Sequence, residues 1–321
     1  MKIIQKPSRE IRAVFVFKTL SVLYPDLAIV NCMKKDIKIT RASGFYSPRF
    51  RRGLKLLLGL ILLAIFSYWF LNYLAPNSKL EVDFLAVGQG DATLIKIPGG
   101  QKILIDAGPD NLVLRRLGEK LKFFERTIDL VIISHYHDDH ALGLVELLKR
   151  YKVKKIIYSD YGSGAPLMKT IKEQTNKKNI SALVLKQTAK INFSAGCFLD
   201  LLSPEIFSVK NDGNNSLVVK LTCARQKFLF TGDNSLKVEK ALINSGWDLA
   251  ADIFKASHHG SNSANSEIFL RAVSPKKIII SVGKDNRFGH PSPKVLERAA
   301  ILEIVTYQTD QKGTIDFYSK Y

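Results

Sequence analysis

The stretch Ser134-His135-Tyr136-His137-Asp138-Asp139-His140 decides how the rest of this chain is read. Ahead of it, Asp129-Leu-Val-Ile-Ile133 is a short β-branched apolar run that predicts a buried strand. Behind it, Ala141-Leu-Gly-Leu-Val-Glu-Leu-Leu-Lys149 spaces apolar residues three and four apart, as an amphipathic helix does. The pattern His-x-His-x-Asp-His therefore falls on a strand-to-helix loop. Imidazoles and carboxylates crowded into one loop suit a transition metal such as Zn, Mn or Fe. The chain has six histidines in all: His135, His137, His140, His258, His259 and His290. None is scattered through core or surface positions, which predicts that all six converge on one site.

Composition narrows the surroundings of that site. With 321 residues the chain can bury a large core. Its net charge of +19 suggests a polyanion partner until it is divided along the chain. Residues 1–55 hold 13 Lys+Arg against 3 Asp+Glu, giving +10 and leaving +9 for the remainder. Half of the excess thus flanks Leu56–Ala75, twenty residues without a charge. A helix of that length rises about 30 Å, enough to span a bilayer. Tyr68, Trp69 and Tyr73 suit an interfacial belt at its far end, and the cationic flank places the N-terminus in the cytoplasm. Tyr73 at −3 and Pro76 after Ala75 argue for an uncleaved anchor over a signal peptide. Met33 opens Met-Lys-Lys-Asp and is an alternative translation start, from which residues 1–32 would not be translated; otherwise residues 1–55 form a basic cytoplasmic segment. The three cysteines have no metal-ligand spacing. Cys197 and Cys223 fall on strands predicted to be neighbours and could pair, but buried free thiols are the expected state.

From Leu80 onward, short apolar runs alternate with helical periods. Strands are expected at 81–87, 92–97, 102–105, 155–158, 182–185, 197–202, 216–221, 227–230, 252–255, 278–281, 304–307 and 314–317. Helices are expected at 111–123, 235–244, 266–273 and 293–302 and between the strands at 155–158 and 182–185, besides the one after the histidine loop. Two sheets with helices outside each would make an α/β, four-layer αββα sandwich over residues 80–318. Four of these runs end in metal-binding groups: Ile105-Asp106, the histidine loop, Phe230-Thr-Gly-Asp233 and Ser257-His258-His259. In layered α/β folds, the C-terminal edge of the strands is where sites are built.

Taken together these motifs resemble the metallo-β-lactamase superfamily, and within it the hydrolase domain of ComEC-type competence proteins. The residues that carry the resemblance are Val87-Gly-Gln-Gly-Asp91, Leu104-Ile-Asp106-Ala-Gly108 and His135-Tyr-His137-Asp-Asp139-His140. They continue with Asn214-Asn-Ser216, Phe230-Thr-Gly-Asp233, Ser257-His258-His259-Gly-Ser261, Arg287-Phe-Gly-His290-Pro291 and Asp310-Gln-Lys-Gly-Thr-Ile315. The resemblance implies a hydrolase with two divalent metal ions, Zn or Mn. His135 and His137 would hold the first, Asp139, His140 and one of His258 or His259 the second, and Asp233 would bridge. Asp106 and Asn215 would support the ligands from behind. Asp139, His258 and His290 are the candidate catalytic residues, the two histidines acting on phosphate or the leaving group.

The chain departs from the family pattern in two ways. Many members of the superfamily supply a further histidine between the first cluster and the bridging aspartate; here none occurs between His140 and Asp233. ComEC-type proteins also join this domain to a channel of many transmembrane helices, whereas this chain carries one such stretch, so a channel would be a separate chain. Three function readings follow: a membrane-anchored nuclease acting on extracytoplasmic DNA during uptake, a phosphoester hydrolase of cell-surface polymers, or a non-catalytic metal-stabilised binding domain. Tyr136, Phe288 and Tyr161 are candidates for stacking bases in the first of these.

Overall fold

The computed structural model describes residues 48–74, 78–159, 166–207, 209, 212 and 215–319, and the chain divides into two units, with the break after Leu74. In the first unit, α1 (Pro48–Leu74) is one continuous helix of 27 residues. It starts before the uncharged run because Arg and Lys are nearly as good helix formers as Leu. Among the described residues it is the one helix long and apolar enough to cross a membrane, with a mean hydropathy of 2.2 over Arg52–Leu71. Its apolar side chains are exposed around the whole circumference, a pattern that suits lipid or a protein interior but not water.

The second unit begins with β1 (Leu80–Phe84), β2 (Thr93–Lys96) and β3 (Lys102–Ile105). Next come α2 (Leu112–Lys120), β4 (Thr127–Ile132), α3 (Asp138–Arg150), β5 (Lys152–Tyr158), α4 (Pro166–Lys177) and β6 (Ser181–Val184). The later half holds β7 (Ala189–Asn192), β8 (Phe198–Leu202), α5 (Pro204–Phe207), β9 (Val218–Cys223), β10 (Gln226–Phe230), α6 (Leu236–Asn244) and β11 (Ile253–Lys255). It closes with α7 (Glu267–Val273), β12 (Lys277–Ile280), α8 (Pro293–Ile301), β13 (Val305–Gln308), α9 (Thr309–Lys312) and β14 (Ile315–Ser319). One seven-stranded sheet has the order β14-β1-β2-β3-β4-β5-β6 and the other β13-β12-β11-β10-β9-β8-β7.

Side-chain alternation sorts the strands into layers. Ile103, Ile105, Leu130 and Ile132 face the second sheet, whereas Leu104 and Val131 face Val113, Leu117 and Leu144 of α2 and α3. In the second sheet, Val219 and Phe228 point inward while Leu229 and Phe254 meet Val238, Phe269 and Leu270 of α6 and α7. The result is the expected αββα sandwich. Strands β3, β4, β5, β10, β11 and β12 make parallel pairs whose C-terminal ends are buried on both faces, which is why those ends read as apolar runs. Phe84 stands at the middle of the inter-sheet layer, its ring 5.8 Å from Phe230 and 5.9 Å from Phe317.

Local differences have physical reasons. The Ala189–Asn192 edge strand was not expected, because Ala-Lys-Ile-Asn is half-exposed and carries no apolar run. Strand β5 starts at Lys152, three residues early, since its first turns of backbone carry solvent-facing lysines. Cys197 and Cys223 are joined in a disulfide instead of standing as free thiols. Strands β8 and β9 pair with Phe198 opposite Thr222, so the two cysteines face each other with Cα atoms 4.1 Å apart. That register is invisible in composition.

Candidate metal centre

The four runs that end in metal-binding groups all terminate at one edge of the sandwich. After β4, Ser134–His137 lead into α3, with Asp138 and Asp139 in the first turn, where the helix dipole favours carboxylates. His140 follows and is fully buried. After β3, Asp106 sits in the left-handed region (φ 56°). From the other sheet, Gly232 (φ 52°) turns the chain after β10 so that Asp233 points back across the sheets; a Cβ at Gly232 would lie 2.6 Å from Ser216 Cβ. After β11, His258 and His259 both adopt φ near 50° (49° and 53°), a costly conformation for two successive non-glycine residues. It is held by the His258 amide donating to Gly232 O (3.1 Å) and by Asn265 Oδ1 accepting from Ser257 N (2.9 Å).

Asp233 is the centre of the constellation. Its Oδ1 lies 3.2 Å from His140 Nε2 and 3.8 Å from His259 Nε2, while its Oδ2 lies 3.8 Å from His135 Nε2 and 3.7 Å from His258 Nε2. The two oxygens thus divide between two donor groups. Asp139, His140 and His259 stand on one side, His135 and His137 on the other, and the donor atoms within each group lie within 4.8 Å of one another. Asp139 Oδ2 is 3.1 Å from His259 Nε2, and His135 Nε2 is 3.0 Å from His137 Nδ1.

The chemistry of these donors fits a metal. His140 Nε2 and Asp233 Oδ1 are buried without a hydrogen-bond partner, an arrangement that a cation satisfies and an empty polar pocket does not. The far ring nitrogens are occupied: His140 Nδ1 donates to Asp106 Oδ2 (2.9 Å) and His259 Nδ1 to the Ser281 carbonyl (3.0 Å). Each bond fixes the tautomer that leaves a lone pair on Nε2. Asp106 is itself held by Ser134, accepting from the amide at 2.8 Å and the hydroxyl at 2.7 Å.

Electrostatics follow the same division. Burial alone would raise the Asp233 carboxyl, but the His140 and His259 imidazoles hold it well below the usual carboxylate range. Burial lowers His140, yet Asp233 and Asp106 carry it well above its ordinary value. His259 behaves alike, Asp233 and Asp91 overcoming burial to bring it to about 9. His135 is driven down by burial and by its neighbour His140. His258 and His290 are lowered chiefly by burial.

The six histidines do converge. His290 stands at the mouth, its ring 5.7 Å from His258 and 6.5 Å from His259, with the exposed Phe288 stacked on it at 5.9 Å. Asn215 is different: its side chain bonds the Val209 and Asp212 backbone and faces the loop. The neighbour on the opposite face, Ser216, accepts from the Asp233 amide (3.1 Å) instead. Asn214 and Tyr161 lie outside the described residues. Tyr136 is buried, its hydroxyl donating to Ser159 O at 2.5 Å, so it belongs to the core and offers no stacking surface.

Sequence reasoning missed a buried pair behind the ligands. Asp91 lies 3.3 Å from His259 Nδ1 and is ion-paired with Lys255, itself 3% exposed. A lysine closing the apolar strand Ile253-Phe-Lys255 was the available signal, since such a lysine is buried only with a partner. Gly90 serves the same neighbourhood: a Cβ there would lie 2.2 Å from Asp139 O, which accepts from the Asp91 amide at 3.0 Å.

Comparison with known proteins agrees with this geometry. Residues 85–284 match the family model described as the metallo-beta-lactamase superfamily. "ComE operon protein 3" of Bacillus subtilis is 29% identical over 270 residues, covering 78% of this chain and 35% of that protein. "Competence protein ComA" of Neisseria gonorrhoeae is 26% identical over 244 residues, covering 75% of this chain and 33% of that protein. The chain therefore spans about a third of the length of these relatives. Among solved structures, the metallo-beta-lactamase fold protein YhfI from Bacillus subtilis superposes with a TM-score of 0.54 at 12% identity, over 75% of this chain and 100% of that one. With its fold, its donor set and these relatives in agreement, this chain belongs to the metallo-β-lactamase superfamily, as a metal-dependent hydrolase related to competence proteins.

Proposed function

We propose that this chain is a two-metal phosphodiesterase or nuclease that acts on extracytoplasmic DNA during its uptake, working with a separate channel protein. The observation that carries the reading is Asp233, whose two oxygens face separate donor sets, Asp139, His140 and His259 on one side and the imidazoles of His135 and His137 on the other. His135 and His137 would hold one cation, Asp139, His140 and His259 the other, with Asp233 between them. The assignment of His259 over His258 rests on its burial and on Ser281, which commits its Nδ1 proton. Zn²⁺ or Mn²⁺ ions bound there would activate water near neutral pH and neutralise charge developing on a phosphoryl oxygen. Asp106 keeps His140 in its ligating tautomer through the Nδ1 bond. His258 and His290, at the open side, would bind the phosphate or hand a proton to the leaving oxygen. Phe288, exposed beside His290, is the remaining candidate for stacking a base.

The proposed organisation assigns residues 1–55 to the cytoplasm, 56–75 to a single-pass anchor and 80–318 to an extracytoplasmic hydrolase domain. The length and apolarity of α1 support the anchor, and the competence relatives support DNA as the substrate.

The full chain in detergent, loaded separately with Mn²⁺ and with Zn²⁺, is to be incubated with labelled single- and double-stranded DNA beside Asp233→Asn and His137→Ala. Cleavage that both variants abolish is expected. Intact DNA alongside hydrolysis of bis-p-nitrophenyl phosphate would shift the substrate to another phosphodiester. Bound metal with no hydrolysis of any ester would leave a metal-stabilised binding domain.

A further inference from the structure

The metal centre occupies one edge of the sandwich, and the opposite edge has its own character. Strands β1 and β3 run in the same direction, because each pairs antiparallel with β2, and β3, β4 and β5 are mutually parallel. The N-terminal ends of β1, β3, β4 and β5 therefore share the edge remote from the histidines. Two features meet there.

The first is Lys149-Arg150-Tyr151-Lys152-Val153-Lys154-Lys155 at the joint of α3 and β5, with five cations in seven residues, all exposed. With Lys178, four of these cations line an open hollow of about 620 Å³. Lys149 and Lys154 have acidic partners, Glu146 at 2.5 Å and Asp129 at 2.6 Å. Among the described residues Arg150, Lys152 and Lys178 have none.

The second is Phe123-Phe124 in the turn between α2 and β4, 75% and 65% exposed, with rings edge to face at 5.2 Å. This turn and the basic joint form one continuous surface. The Lys152 amide donates to Arg126 O (2.8 Å), and the Arg126 guanidinium lies over the Tyr151 ring at 5.4 Å.

We propose that this edge is a docking face for an anionic bilayer surface, which would turn the metal centre away from the membrane. The inference rests on reading α1 as a membrane anchor. Cations alone suit any polyanion, but two neighbouring exposed phenylalanines beside unpaired cations match a headgroup layer, where rings enter and lysines stay on phosphates. A nucleic acid laid here would lie about 20 Å from the metal centre, the length of a six-residue strand. The docked arrangement leaves the histidine edge open to substrate arriving from outside.

The test uses the full chain in nanodiscs of phosphatidylcholine alone and with phosphatidylglycerol, read by hydrogen exchange. Slower exchange in segments 121–126 and 149–154 is expected only with the anionic lipid. Lys149→Glu/Lys152→Glu/Lys154→Glu and Phe123→Ser/Phe124→Ser should each abolish it, while exchange in β9 and β10 stays unchanged as the folding control. Each cation removed should lower the docked-to-free ratio about fivefold. Equal exchange in both lipids, from a chain that resists alkaline extraction, would overturn the docking face and leave the anchor standing. A chain that alkali extracts would overturn both. Protection of the same segments by an oligonucleotide but not by lipid would assign the face to nucleic acid and overturn the proposal as well.

Discussion

Asp106 and Asp233 look alike in sequence and do opposite things in the structure. Each follows a short apolar strand that ends at the same edge, and each is almost fully buried. Asp106 spends both oxygens on hydrogen bonds, to the Ser134 amide and hydroxyl and to His140 Nδ1, and burial pushes its carboxyl up. Asp233 has an oxygen with no hydrogen-bond partner and sits among four imidazoles; burial opposes its charge, but the imidazoles bring it down. One carboxylate orients a histidine; the other is poised to take a cation. Burial sets the cost of a charge, and the neighbours decide whether that charge is a support or a ligand.

The comparison can be broken most severely at Asp233. Asp233→Asn should lose metal and lower hydrolysis roughly 10⁴-fold, the scale of removing one member of an interdependent set, with metal content and rate measured together. Full activity in that variant would remove the distinction between the two aspartates. Asp91 is the third member of the series, its charge held by Lys255. Lys255→Met should strand that carboxylate and destabilise the domain by about 3–5 kcal/mol in urea unfolding. An unchanged midpoint would mean that His259 alone suffices. Asp106→Asn should leave the fold intact and weaken metal affinity by about 10–100-fold, read by competition with a chelating dye. A loss as deep as that of Asp233→Asn would make Asp106 a ligand and sink its orienting role.

The smallest effect is expected at Asp83, a buried carboxylate remote from the metal centre. Burial raises its carboxyl to about 7 against the pull of Lys96 and Lys120. A raised value in the folded state means that the folded chain holds a proton the unfolded chain releases. Its contribution is present below about pH 4 and is lost as pH climbs to 7. Asp83→Asn should therefore gain on the native chain between pH 5 and pH 8, by about 2–5 °C in Tm. A pH-independent difference would show that the two lysines keep Asp83 ionised throughout.

Much of this molecule was legible because its chemistry is local. The buried parallel strands announce themselves as apolar runs, and a loop of histidines and carboxylates has few other uses. What stayed hidden depends on pairing or on which way a backbone faces. The Cys197–Cys223 bond needs the β8–β9 register. Ser216 and not Asn215 meets the Asp233 amide because adjacent residues of an extended chain point opposite ways. The choice between His258 and His259 turns on two left-handed residues that no residue-type pattern forecasts. The edge strand β7 escaped because Ala-Lys-Ile-Asn has too little to bury.

The donor set that surrounds Asp233 is split between the sheets: His135, His137, Asp139 and His140 come from the first, Asp233, His258 and His259 from the second. A cation there would fasten two half-molecules, each with its own helical layer and outer core, beside the apolar core that they share. Occupancy at 100 times the dissociation constant adds about 2.7 kcal/mol to the folded state. That increment falls on the seam between the sheets and not inside either half. The stripped protein should keep the core shared by the sheets and melt at a lower temperature than the loaded one. Metal supply would then govern how long the domain survives as well as whether it works.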